Sequence, residues 1–435
     1  MNQQSELDKV PGRPTSMGDL NGQEASGVAL LTGGSDRPYV HGLATALMSK
    51  GVALDLIGSD ELDIMPLRGR REIKFYNLRG NQQSGASVFA KVLRVSSYYL
   101  KLMIYAATAR PGIFHILWNN KFEVIDRTLL MLYYKLLGKK VVLTLHNVNA
   151  AKRDSKDTYL NRLTLRSQYA CAAHIFVHTD RMKQELMSDF RVSSSKITVV
   201  PFGINNAVPH TSLTKAQARQ RLALRSDDKA ILFFGNITPY KGLEFLLDAF
   251  AQIQCRCQDY KLIIVGKNDS RSDYWQMVSK KISQSQQNDK ILMKTEFIPD
   301  EDTELYFKAA DVLVLPYRYI YQSGVLFLAH SFGLPVLATD VGPFRDEIIE
   351  GRTGFICKPE DSTDLASAIE RYFASDLYRD LDLNRDAIRD YVEARHSWEV
   401  VAQMTIEVYA RLLSAGFPKK LDASRADASR FGTDH

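Results

Sequence analysis

The sequence predicts an α/β protein of two domains, each a doubly wound parallel sheet, facing one cleft. Three observations carry this. A chain of 435 residues is longer than one hydrophobic core ordinarily organises, so two domains are expected. Short apolar runs rich in Val and Ile alternate with helix-like segments, the pattern of parallel strands covered on both faces. The runs also fall into an earlier and a later group, separated by NNAVPHTSLT at 205–214, which has Pro, Ser and Thr and no periodicity and reads as a linker.

In chain order, residues 1–26 are polar with no apolar h-region and read as a disordered leader rather than a signal peptide. A first domain is expected over 27–204, with strands at 28–32, 52–57, 113–118, 140–145, 174–177 and 197–201. A second is expected over 215–395, with strands at 231–234, 262–265, 291–293, 312–315 and 336–338. Residues 396–414 read as a C-terminal helix returning toward the first domain, and 415–435 as a frayed tail. No stretch of about 18 residues is apolar and charge-free, so no membrane span is expected. The 45% apolar and 24% charged composition is that of a soluble globular protein. A net charge of +6 permits contact with anionic lipid or a phosphorylated substrate. No zinc-finger spacing, basic zipper or basic tract argues for nucleic acid. The four cysteines read as reduced thiols, not a disulfide framework or a zinc site.

In open parallel sheets ligands sit beyond the carboxyl ends of strands, so the residues just after each run are the informative ones. Thr32-Gly33-Gly34 follows the first run. Its glycines allow close approach of a ligand, or simply make a tight turn, and the spacing is not the GxGxxG of nicotinamide cofactors. His146-Asn147 follows 140–145; His146 either meets a substrate hydroxyl or developing charge, or bonds a neighbouring carbonyl. His115 and His178 read as structural and His41 as packed. Gly235-Asn236 opens a turn that reaches Lys241-Gly242 before the helix LEFLLDAF. A Lys at a helix start after a glycine turn suits a diphosphate, and a solvated surface Lys is the alternative. Gly266 follows 262–265. In PYRYIYQSGVLFLAHSFGLPVLATD, 316–340, the amides of Gln322, Ser323, Gly324 and Val325 lie at an expected helix N-terminus, an anion seat or an ordinary Ser323 cap. The acids Asp60-Glu61, Asp227-Asp228 and Asp300-Glu301-Asp302 read as loop charges or helix caps.

Two stretches in this half, FFGNITPYKGLEFLLDAF and LPYRYIYQSGVLFLAHSFGLPVLATDVGPFRDEIIEGRTGFICKPED, with the late HSWEVVAQMTIEVYARLL, resemble the carboxyl half of the family-four retaining glycosyltransferases, which have the GT-B fold. The Gly33-Gly34 turn, VVLTLHNV and IFVHTDRMKQEL extend the resemblance to about 28–413. It implies two Rossmann-like domains, a nucleotide-diphosphate sugar donor held mainly by the second, and a saccharide or lipid-linked acceptor against the first. It implies transfer with retention, no metal and no cofactor, in bacterial polysaccharide or glycolipid synthesis. Catalytic roles fall to His146 and Lys241, and donor binding to Gly33, Gly34, Gly235, Asn236, Lys241, Gly266, Arg318, Gln322, Ser323, Gly324 and Val325.

Two departures stand out. The family commonly has an Arg where this chain has Asn236, and Arg318 is the neighbouring cation that could replace it. Its Glu-x7-Glu acids fall on Ile320 and Leu328, so ribose, which the second acid normally binds, must be recognised otherwise. A hydrolase is disfavoured, because no pair of carboxylates can be nominated. A nucleotide-sugar epimerase of the same fold, or a member that binds without catalysis, remain the alternatives. The segments 89–110 and 127–140 mix aliphatic and Tyr residues with Lys91, Arg94, Lys101 and Arg110. They read either as buried amphipathic helices or as a surface for anionic lipid. The expected location is cytoplasmic, with peripheral contact to the inner face of the plasma membrane.

Overall fold

The computed structural model describes residues 27–33, 37–62, 70–81, 87–120, 122–153, 156–204, 208–285 and 288–414. The expected leader 1–26, the tail 415–435, Gly34 and residues 205–207 of the expected linker lie outside the described residues.

The first domain is a parallel sheet of β1 (Val28–Leu31), β2 (Leu54–Gly58), β3 (Ile73–Asn77), β4 (Ile113–Ile116), β5 (Lys140–Thr144), β6 (His174–Val177) and β7 (Ile197–Val199), ordered β3-β2-β1-β4-β5-β6-β7. The second has β8 (Lys229–Phe234), β9 (Tyr260–Val265), β10 (Ile291–Lys294), β11 (Val312–Leu315), β12 (Val336–Thr339) and β13 (Gly354–Cys357), ordered β10-β9-β8-β11-β12-β13. Both sheets therefore start in the middle, run to one edge, then cross over and run to the other. That reversal leaves a crevice at the carboxyl ends of β1 and β4, and another at those of β8 and β11.

The central strands are wholly buried, as in β1, β4, β11 and β12, because helices cover both faces. Two strands absent from the sequence expectation are β3 and β13, and both are edges. Ile73–Asn77 carries Lys74 and Asn77 and is only half covered, so its apolar run is too broken to read. The four residues Gly354–Cys357 open on a glycine.

The last helix, Trp398–Ser414, packs against the helix Arg37–Ser49 of the first domain. The Tyr409 hydroxyl lies 2.6 Å from His115 Nδ1, and the Trp398 indole donates to the Ile204 carbonyl at 2.7 Å. The carboxyl edges of the sheets meet. Tyr321, in the loop after β11, donates its hydroxyl to Glu185 Oε1 of the first domain at 2.9 Å, and Phe202 stacks on Phe327 with centroids 5.5 Å apart.

Candidate active site

The crevice between β8 and β11 brings together most of the expected donor-side residues. After β8 the chain makes a one-turn helix, Pro239–Lys241, passes Gly242 in the left-handed region, and enters the helix Leu243–Gln254. This turn is pinned to the loop after β11, since the Arg318 amide donates to the Tyr240 carbonyl at 2.8 Å. The fold thus delivers Lys241 inward, where it is only 6% exposed. Its amine lies 5.5 Å from the centre of the Tyr317 ring and directly against Gly235. Gly235 has φ +106°, and a Cβ there would stand 2.4 Å from Lys241 Nζ. A side chain at 235 would both strain the backbone and displace the amine.

Among the described residues no carboxylate pairs with Lys241. Burial alone lowers its pKa to about 8, because a cation withdrawn from water without a counterion is disfavoured. The loops after β8 and β11 also carry idle hydrogen-bonding groups: both amide atoms of Gln322 and the Thr238 hydroxyl are buried without a partner, while the Ser323 hydroxyl meets that of Tyr317. Ser323 is the N-cap of the helix Gly324–Ser331, yet its side chain makes no capping bond. Orphaned buried polar atoms are rare in folded proteins and mark places where something else binds. Val325 borders the same spot, 3.6 Å from the position of a Cβ on Gly235. Asn236 is exposed at the rim, and Gly266 sits behind, its amide donating to the Lys294 carbonyl at 2.9 Å.

Arg318 is already engaged. Its guanidinium pairs with Glu244 and, at 3.5 Å, with Glu360, and lies over the Phe245 ring. Ile320 and Leu328, which align with the two acids of the resemblance, are both buried. Leu328 lines a cavity of about 300 Å³ between the domains, with Gly324 and Val325 on one side and Tyr39 and Phe202 on the other. The walls are mostly apolar, with Asp300 and Thr303 bringing side-chain oxygens to the rim. Asp300 is an exposed residue, and partial burial of its carboxyl raises its pKa, Glu301 reinforcing and Arg37 opposing the shift. From the sequence Asp300 reads as a loop charge or a helix cap, and nothing local distinguishes it, since only the fold brings it to the cavity that Leu328 also lines.

On the first-domain side, Gly33 follows β1 and its carbonyl accepts from the Arg79 guanidinium. His146 follows β5. Its ring stacks on Trp118 at 4.2 Å and 7° and takes the edge of Tyr39 at 4.7 Å. Its Nδ1 lies 3.2 Å from His178 Nε2, while His178 Nδ1 faces the Val200 carbonyl at 3.3 Å. A carbonyl only accepts, so His178 carries its proton on Nδ1, and His146 must donate from Nδ1. That leaves His146 Nε2 a bare acceptor, buried and without a partner. Burial, with His178 and His115 adding, holds the ring far below the usual imidazole pKa and keeps it neutral. His146 does not line the cavity between the domains; Tyr39 and Phe202 stand between them. It lines a second cavity of about 270 Å³ with Trp118, Asn119, Arg127 and Gln168, where Arg127 Nε is also buried and unpartnered. His115 is fixed by Tyr409 and Thr144, and His41 by the Leu62 carbonyl.

Residues 37–208 match the family described as Glycosyltransferase Family 4, and 228–375 that described as Glycosyl transferases group 1. Between them the two matches take in most of the chain. An uncharacterized glycosyltransferase of Methanocaldococcus jannaschii is 28% identical over 231 residues, 52% of this chain and 57% of that protein. A D-inositol 3-phosphate glycosyltransferase of Pseudarthrobacter chlorophenolicus is 29% identical over 244 residues, 55% of this chain and 56% of that protein. The chain thus spans little more than half the length of these relatives. Among solved structures, a sucrose-phosphate synthase from Thermosynechococcus elongatus superposes with a TM-score of 0.72 at 20% identity, covering 89% of this chain and all of that one. Anabaena HepE, solved with UDP and glucose, gives 0.68 at 16% identity over 88% of this chain and 99% of that one. At these identities the likeness is one of fold.

Proposed function

The chain belongs to the glycosyltransferases of the GT-B fold, and from that premise we propose that it moves a sugar from a nucleotide-diphosphate donor to a saccharide or lipid-linked acceptor, with retention and without a metal. The observation that carries this reading is the buried Lys241 amine, without a counterion among the described residues, in a crevice whose loops also carry the unpartnered side chains of Thr238 and Gln322. Such a site is complete only with an anion in it. A diphosphate leaving from the sugar gains negative charge as the glycosyl bond breaks, and Lys241 with the amides at the start of Gly324–Ser331 would stabilise it. The acceptor oxygen bonds to the anomeric carbon from the leaving-group face, and its proton passes to the departing phosphate. The acceptor binds against the first domain, where His146 Nε2 is a bare acceptor for a sugar hydroxyl. The protein works in the cytoplasm, in peripheral contact with the inner face of the plasma membrane.

Donor panels of uridine, guanosine and adenosine diphosphate sugars, with saccharide and lipid-linked acceptors, test the reaction. In the active pair, His146→Ala is expected to lower the turnover number while leaving nucleotide affinity nearly intact, because its contact is with sugar. Loss of nucleotide affinity alone would remove that role.

We propose further that Asp300 takes the place of the acid missing at Leu328, accepting from ribose hydroxyls in the cavity between the domains. Asp300→Asn is then expected to weaken nucleotide diphosphate binding about tenfold, since hydrogen bonds to a charged group contribute about 1.5–3 kcal/mol. It should weaken the 2′-deoxy analogue much less. Equal losses for ribose and deoxyribose forms would place Asp300 away from the sugar.

A further inference from the structure

We propose that the helix Val88–Thr108 and the helical run 123–136 form a face that rests on an anionic bilayer. The first helix is apolar on two sides. Tyr98, Leu102, Tyr105 and Ala106 are buried toward the sheet. On the other side Phe89, Leu93, Leu100 and Ile104 are all exposed, Phe89 to 79%. Their spacing of four, seven and four residues sets them in one stripe, at 3.6 residues per turn. The second run adds Leu129, 65% exposed, and Leu136, 86% exposed. Between the two lies an apolar groove of about 360 Å³ floored by Tyr99, Met103, Ile125 and Tyr133. Soluble proteins rarely leave so much contiguous apolar surface in water.

Charge selects the occupant. Val88–Thr108 contains Lys91, Arg94 and Lys101 and no acid. Lys101 on the first helix, Lys135 on the second run and Lys140 at the start of β5 are exposed. On the second run, Asp126 is buried and Glu123 is paired with Arg127. Aliphatic side chains with tyrosines and a cationic rim match the layered chemistry of a bilayer surface, with acyl chains below and anionic headgroups above. No helix among the described residues is long and apolar enough to cross a membrane, so the contact is peripheral. The same helical run also reaches the cavity of the first domain, which its buried Arg127 lines. That would set a lipid-linked acceptor beside His146, an extension that rests on the acceptor reading above; the membrane contact itself does not.

The test is co-sedimentation of the full chain with vesicles of phosphatidylcholine, alone and with rising phosphatidylglycerol, at low and high salt. Binding is expected to grow with the anionic lipid and to fall with salt. Lys101→Gln with Lys135→Gln should reduce it about 25-fold, each cation near the surface contributing roughly fivefold. Leu100→Glu with Leu129→Glu should abolish it, with retained nucleotide diphosphate binding as the check on folding. Absence of binding to any vesicle at low salt overturns the proposal. So does a wild-type dimer that the Leu100→Glu, Leu129→Glu pair turns into a monomer while vesicle binding persists, because the face would then seat a second copy. Vesicle binding without transfer to any lipid-linked acceptor would leave the membrane face standing and remove only the acceptor reading.

Discussion

Lys241→Ala is expected to cut sugar transfer at least about 100-fold, a loss of about 2.7 kcal/mol in transition-state stabilisation. The size follows from the site. Lys241 is buried, lies against Gly235, and faces no carboxylate among the described residues. Its charge is therefore uncompensated until an anion arrives, and the demand is largest when the leaving diphosphate carries the charge of bond breaking. The same burial gives the reaction a pH signature. With the amine lowered to about 8, the unliganded protein loses this proton as pH rises through 8. A bound diphosphate holds the proton on. Donor affinity should accordingly fall above pH 8, approaching tenfold per unit. Lys241→Arg, whose guanidinium keeps its proton, should flatten that fall even if its geometry lowers the rate. The sign for stability is opposite. Folding withdraws a lysine that is protonated in the unfolded chain up to about 10.4, so the amine opposes folding at neutral pH, and the opposition is relieved as pH rises from about 8. Turnover within a few-fold of wild type in Lys241→Ala would put the phosphate elsewhere.

Trp398→Ala is expected to lower stability by about 3–5 kcal/mol, the range for removing a large aromatic from a packed site. Trp398 begins the last helix and wedges between two glycines. A Cβ on Gly42 would lie 2.0 Å from its Cε2, and one on Gly203 would lie 2.5 Å from its Cζ2. The wedge ties the first-domain helix Arg37–Ser49 to the crossing segment that holds Phe202 and Ile204. Because the indole also lines the cavity between the domains, its loss removes part of the seam that keeps the sheets' carboxyl edges together. Calorimetry should show a lower midpoint and a separation of one transition into two. A loss below about 1 kcal/mol would mean that the remaining contacts of the last helix, such as Tyr409 on His115, suffice.

The central strands were legible because burial on both faces writes itself as uninterrupted Val, Ile and Leu. The edges β3 and β13 were not, since an edge strand needs less apolar surface, and Lys74 or Gly354 then breaks the run. The crevice beyond β8 and β11 could be located in advance, because a doubly wound sheet leaves it at that reversal. Its electrostatics could not. The sequence does not say that Lys241 is buried without a partner, or that Arg318 is occupied by Glu244 and Glu360. The loss of acids at Ile320 and Leu328 was visible in the motif. Asp300 across the cavity was not, because that juxtaposition is made by tertiary folding. The segment 89–110 was ambiguous for a physical reason: both sides of the helix are apolar, and periodicity cannot tell which one the sheet takes.

The central claim is that the crevice between β8 and β11 holds the diphosphate of a nucleotide-sugar donor. It is tested most directly by calorimetric titration of uridine, guanosine and adenosine diphosphates and the matching monophosphates into the wild-type protein and Lys241→Ala. One diphosphate is expected to bind clearly more tightly than its monophosphate, and Lys241→Ala to remove that difference while leaving the monophosphate affinity nearly unchanged. Binding of no nucleotide, or the same preference for the diphosphate in both proteins, would contradict it.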